Sequence, residues 1–170
     1  MIELKNKSPN LLVIGDLMID QYFWGKSERI SPEAPVQVIN VENESIVLGG
    51  AGNVINNLKV FGANVDVISV IGKGENATKL KELLTAINVD IKYLVTESNR
   101  ITSKKSRVIA SQQQVVRYDH ESTDEISIPS QKLILDTFKK IINNYEIILI
   151  SDYGRGVLST ELTQSIINIA

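Results

Sequence analysis

Residues 48–62 read LGGAGNVINNLKVFG and lead into VDVISVI at 65–71. The first stretch sets glycines ahead of an apolar-periodic run and closes on Gly62, a residue type suited to the position just past a helix end. The second is a short continuous apolar run, the mark of a strand buried on both faces. LLVIG at 11–15 and EIILI at 146–150 have the same character. Helical spacing covers 51–61, 76–87 and 131–142, the last opened by Pro129-Ser130, and another helix starts near Ser159, where Ser-Thr-Glu-Leu supplies a cap and an acidic first turn. Strands alternating with helices specify an α/β fold with a mainly parallel sheet.

Two segments break this rhythm. Residues 20–41 contain DQYFWG, RISPEAP and VQVINVE, and residues 101–118 read ITSKKSRVIASQQQVVRY. Both alternate at period two, which predicts two antiparallel strand pairs in a smaller sheet outside the main one. One face of that sheet should be covered, by a substrate or by a partner chain. Tyr22 and Trp24 read as packing residues of this lid. His120 and the surrounding DHESTDE read as a solvated loop.

The totals narrow the function. At 170 residues the chain suits one domain, with 43% apolar and 22% charged residues. A net charge of −2 supplies no basic field for nucleic acid or an acidic membrane, so any anion site must be local. Without cysteine, and with His120 as the single histidine, thiolate and His-rich metal sites are excluded and a Ser-His-Asp arrangement is disfavoured. The polar start MIELKNKSPN fits neither a signal peptide nor a membrane span, which makes the cytoplasm the expected location and the sequons NKS, NES and NAT chance matches. The end, QSIINIA, falls inside an apolar-periodic segment without a cap, so the fold is expected to be truncated.

The glycines of 48–62 are not a nucleotide fingerprint. Gly50-Ala51-Gly52 begins a G-x-G-x-x-G motif, but Ile55 occupies the third glycine position. Gly72-Lys73 is followed by Gly74, and Val67 stands where a P-loop needs its first glycine. What remains is backbone that a ligand can approach closely, a helix N-terminus with free N–H groups, and Asn53, whose donor and acceptor suit a polyol hydroxyl. A bare strand-to-helix turn is the competing reading.

GGAGNVINNLKVFGANVDVISVIG resembles the N-terminal signature of the ribokinase-like, PfkB-type carbohydrate kinases, departing from it at Ile55. VIGDLMID fits the same family. RISPEAPVQV, QQQVVRYDHE and ISDYGRGVL narrow the resemblance to the D-glycero-β-D-manno-heptose 7-phosphate kinases of lipopolysaccharide core and ADP-heptose biosynthesis. It covers the chain from about residue 11 to its end, the first half of such a kinase domain. The resemblance implies a three-layer α/β/α fold with a mainly parallel central sheet and a small antiparallel β lid at about 20–41 and 101–118, all of 1–170 being part of one domain. The half-covered face of the lid sheet, rather than the resemblance, is the reason to expect a homodimer joined through that lid.

It also implies a reaction: transfer of the ATP γ-phosphoryl, with Mg²⁺, to O1 of heptose 7-phosphate. Asp20 and Asn53 would bind sugar hydroxyls, with Gly49 and Gly50 letting the sugar sit close. A carboxylate that accepts hydroxyls in a partly dry pocket rejects a sugar that leaves it unpaired. Asp16 is either a further substrate contact or a turn carboxylate. The distal phosphate needs a cation. Lys105 and Arg107 fall on one face of a predicted strand, roughly 6–7 Å apart, and Arg29 and Arg117 are further candidates. A solvated, aggregation-blocking edge is the competing reading for these cations and the preferred one for Lys104. Asp152, after the strand at 146–150, would either support a metal or phosphate site or cap the next turn. The catalytic base of the family lies in a G-A-G-D segment that these 170 residues do not contain, so the chain alone is expected to lack kinase activity. Another PfkB-type sugar or nucleoside kinase, or a non-catalytic sugar-phosphate-binding or dimerisation fragment, is the alternative.

Overall fold

The computed structural model describes residues 8–170; Asn6 and Lys7 of the first sequon and most of the polar N-terminus lie outside them. The element order is β1 (Asn10–Gly15), β2 (Leu17–Ile30), β3 (Gln37–Gly50), α1 (Ala51–Val60), β4 (Asn64–Ile71), α2 (Glu75–Ala86), β5 (Leu94–Thr96), β6 (Ser103–Ala110), β7 (Gln113–His120), α3 (Ile128–Ile141), β8 (Ile147–Ser151) and α4 (Thr160–Ile169), with a 3-10 turn at Ile142–Asn144.

The main sheet runs β5-β4-β1-β8, and every pairing in it is parallel. Side chains alternate across a strand, so β1 and β4 feed two cores. Leu11, Val13, Val65 and Val67 pack with Ala51 and Ile55 of α1 and Leu80 and Leu84 of α2. Leu12, Ile14, Ile68 and Val70 pack with Ile134 and Phe138 of α3 and Leu162 and Ile166 of α4. This is a three-layer α/β/α arrangement. Ile55, the departure from the family signature, is fully buried in the first core, where α1 packs on strands β1 to β4.

The second sheet has the order β3-β2-β6-β7. β2 and β3 are antiparallel, as are β6 and β7, while β2 and β6 join the two pairs in parallel. The lid is therefore two hairpins laid side by side, with a junction that period-two alternation does not encode. Its first hairpin is longer than the alternation at 20–41 indicates. Leu17, Ile19 and Leu48 at its base belong to the first core, which fixes the lid to the main sheet. Helix α3 also starts earlier than Pro129-Ser130 suggests: Ser127 is the cap, and its Oγ accepts a hydrogen bond from Ser130 N.

Candidate functional site

β1 ends at Gly15, β2 begins at Leu17, and β3 delivers the chain directly into α1 at Gly50. The lid and the N-terminus of α1 thus meet at the carboxyl ends of the main-sheet strands, where ligands bind in open α/β sheets. Gly50 is the N-cap of α1 with φ 56, and a Cβ there would meet the Asp16 carbonyl and Met18. A Cβ at Gly49 would overlap Asp20 Oδ2. The Asp20 carboxylate occupies that space, so a larger residue at 49 would have to displace it. Asn53 is exposed in the first turn of α1.

Asp20 is not alone. Arg107 Nη1 donates to its Oδ1 at 2.5 Å, with both side chains about four-fifths buried. This hydrogen bond holds the Arg107 guanidinium even more firmly in its charged form than usual. Arg107 Cζ lies 5.2 Å from the Tyr22 ring centroid, and Tyr22 stacks on Trp24 with centroids 6.0 Å apart. Register explains the grouping. Asp20 stands beside Lys105 and Tyr22 beside Arg107 across β2 and β6, while Lys105 faces Asp119 and Arg107 faces Arg117 across β6 and β7.

The lid cations are already engaged. Lys105, only 8% exposed, donates to Asp119 Oδ2 at 2.9 Å and Glu121 Oε2 at 3.1 Å. Arg117 Nε stands 3.1 Å from Asp119 Oδ1, and Arg155 Nε stands 3.0 Å from Glu121 Oε2. The hydrogen bond from Lys105 leads the effects that hold the Asp119 carboxyl below the usual carboxylate range. The DHESTDE segment is mostly exposed, as a solvated loop would be, but Asp119 and His120 close β7 and Asp119 and Glu121 bind the lid cations, which leaves only His120 of these three neighbours without an ion pair.

Other sequence candidates fall elsewhere. Arg29 is nine residues beyond Asp20 on β2, about 30 Å along the strand, and is exposed near the lid tip opposite Val38. Asp16 is wholly buried and structural: its carboxylate accepts from the backbone N–H of Tyr153, Arg155 and Val157 at 2.8–3.1 Å, fixing the loop after β8. Asp152 is exposed and accepts from Gly154 N at 2.7 Å, the capping arrangement. Among the described residues no group of three or more His, Asp or Glu side chains converges as a metal site. Lys104 points to the other face of the lid, where with Gln21 and Glu44 it lines a cavity of about 370 Å³ against α2, away from Asp20.

Sequence reasoning missed Arg100. Buried at 8% exposure, it donates from Nη1 to the Asp124 carbonyl at 3.1 Å and from Nη2 to the Arg155 carbonyl, tying the segment after β7 to the loop after β8. Burial lowers its pKa. An arginine just before a period-two strand carries no local sign of this role.

The family described as pfkB family carbohydrate kinase matches residues 8–170 of the chain. The bifunctional protein HldE of Aliarcobacter butzleri is 62% identical over 165 residues, covering 97% of this chain and 35% of that protein. HldE of Sulfurimonas denitrificans is 53% identical with the same coverage. The chain thus spans about a third of the length of the curated relatives it matches. Among solved structures, a carbohydrate kinase from Agrobacterium tumefaciens superposes with a TM-score of 0.61 at 18% identity, over 84% of this chain and 45% of that one. A Burkholderia thailandensis nucleoside kinase in complex with inosine gives 0.55 at 13% identity, over 91% and 49%. These likenesses establish the ribokinase-like fold.

Proposed function

The chain belongs to the pfkB family of carbohydrate kinases, and on that premise we propose that it forms the acceptor half of a sugar-phosphate kinase. The complete enzyme transfers the γ-phosphoryl of ATP, with Mg²⁺, to O1 of D-glycero-β-D-manno-heptose 7-phosphate, in the first activity of a bifunctional protein like HldE. The observation that carries the reading is the Asp20–Arg107 pair set against Gly49. A carboxylate that accepts sugar hydroxyls sits beside a fork of donors suited to a phosphate, on one face of one sheet. Asn53 adds an exposed amide at the nearby helix start. The G-A-G-D segment that carries the base in the family does not occur in these residues, and Mg²⁺ would come with the nucleotide.

Arg107 and half-exposed Arg117 are the phosphate ligands in this reading. Lys105, held by two carboxylates, serves as a fixed charge behind them. Trp24, Val47 and Val115 leave apolar surface exposed on the lid, which supports a homodimer through it. No helix among the described residues is long and apolar enough to cross a membrane; the reaction, using ATP, belongs in the cytoplasm. A second reading, an unphosphorylated sugar or nucleoside as acceptor, is favoured by one observation: the lid cations are neutralised by Asp20, Asp119 and Glu121. Steady-state kinetics of the full-length protein with heptose 7-phosphate and the same sugar without phosphate separate the two. The proposal requires strong preference for the phosphorylated sugar, and equal turnover of both contradicts it.

A further inference from the structure

Glu121 lies one residue past the end of β7, yet its carboxylate meets a cation from each half of the molecule. Its Oε2 accepts from Lys105 Nζ on the lid at 3.1 Å and stands 3.0 Å from Arg155 Nε in the loop after β8. Side-chain exposures are 16% for Glu121, 10% for Lys105 and 26% for Arg155. The Arg155 Nε atom is itself buried and makes no aligned hydrogen bond, so Glu121 provides its counter-charge at close range. The far ends of this bridge are both anchored. Lys105 is the register neighbour of Asp20, and the backbone around Arg155 is held by Asp16 at the end of β1. Among the ion pairs of the described residues, Glu121–Arg155 is the one that connects the β6–β7 side of the lid to a strand-end loop of the main sheet.

We infer that Glu121 is a positioning residue: by bridging Lys105 and Arg155 it sets how far the Asp20–Arg107 face stands from the carboxyl ends of the main sheet, and thereby sets affinity for the phosphorylated acceptor. This inference rests on the reading of that face as the acceptor site. Glu121 acts through Lys105 and touches no acceptor itself. Removing its charge leaves the buried Arg155 Nε without a counter-charge and Lys105 held by Asp119 alone, and half-buried charges left uncompensated are far costlier than exposed ones. The cations then separate, and β6 and β7 move with Lys105.

The test uses the full-length protein with Glu121→Gln, which keeps the size and one acceptor oxygen but not the charge. Hydrogen exchange of β6 and β7 amides should quicken about tenfold while β1 and β4 stay as in the wild type. The KM for heptose 7-phosphate should rise about tenfold, with kcat and the KM for ATP held within about twofold. Arg155→Gln should reproduce both effects, and the double variant should add little to either single one. Wild-type exchange in β6 and β7, additive effects of the two substitutions, or faster exchange spread equally over β1 and β4 each overturn the inference. An active wild type whose KM does not respond to Glu121→Gln also overturns it. A wild type inactive on the sugar phosphate instead defeats the acceptor-site reading, and the exchange comparison still decides whether Glu121 holds the lid.

Discussion

Arg107 reaches from β6 to Asp20 on the adjoining strand β2, its Nη1 donating to Oδ1 at 2.5 Å. The carboxylate assigned to sugar hydroxyls and the guanidinium assigned to the distal phosphate are thus one unit before any acceptor arrives. Each holds the other in a single orientation, which lowers the ordering cost of binding. Replacing Arg107 with Ala should raise the KM of the full-length enzyme for heptose 7-phosphate on the order of 10–100-fold, in line with loss of a charged hydrogen bond worth about 1.5–3 kcal/mol. Arg107→Lys should recover only part of this, because an ammonium lacks the planar fork. Steady-state kinetics and a far-UV spectrum check the pair, and an unchanged KM removes Arg107 from the site.

Space at Gly49 is limited by its neighbour. A methyl group there overlaps Asp20 Oδ2 and lies within 3.0 Å of Met18 Cγ. Gly49→Ala should therefore push the carboxylate aside and cost about 1–3 kcal/mol of stability through overpacking. The thermal midpoint should fall and the acceptor KM should rise together. Wild-type values for both would mean that Asp20 is free to move.

Asp16 has the opposite profile, with no exposed surface and three backbone donors on its carboxylate. Asp16→Ala leaves those N–H groups, one buried and two part-buried, without their acceptor, at about 1–3 kcal/mol for each that water cannot reach. Urea unfolding should show at least about 1 kcal/mol of destabilisation. A loss under about 1 kcal/mol would show that the loop after β8 does not depend on it.

The Asp119 carboxyl is held below its ordinary range, first by the hydrogen bond from Lys105. As pH falls, the unfolded chain takes up this proton before the folded one, so the unfolded state gains stability first. The contribution of Asp119 is complete above the ordinary carboxylate pKa of about 4 and is lost as pH drops through its lower folded value. Asp119→Asn lacks that contribution at neutral pH, and its unfolding midpoint should fall less steeply between about pH 5 and 3. Parallel pH profiles for the wild type and the variant would contradict the assignment.

What the sequence makes legible follows from how local each signal is. Apolar runs such as 65–71 and helix caps such as Ser159 are local, and β4 and α4 lie where they indicate. The alternation of 101–118 likewise marks β6 and β7. The parallel junction between β2 and β6 joins residues some 85 positions apart, as Asp20 and Lys105 are, and nothing in either strand announces it. The site divides in the same way. Gly49, Gly50 and Asp20 sit in contiguous motifs and meet in space, whereas DHESTDE reads as solvated because its partners Lys105 and Arg155 come from distant segments. Asp16 and Asp152 are alike as sequence, each an acidic residue just past a strand. Only the tertiary path of the loop after β8 makes one a buried anchor and the other an exposed cap.

If the Asp20–Arg107 face receives a phosphorylated sugar, the full-length protein must select its acceptor by that phosphate. This is read by transfer of labelled phosphate from ATP, with heptose 7-phosphate, the unphosphorylated heptose, ribose and inosine offered in parallel. Label should appear on O1 of heptose 7-phosphate and hardly on the others, with the preference abolished by Arg107→Ala. Efficient labelling of an acceptor without a phosphate, undiminished by Arg107→Ala, would contradict the assignment of this face.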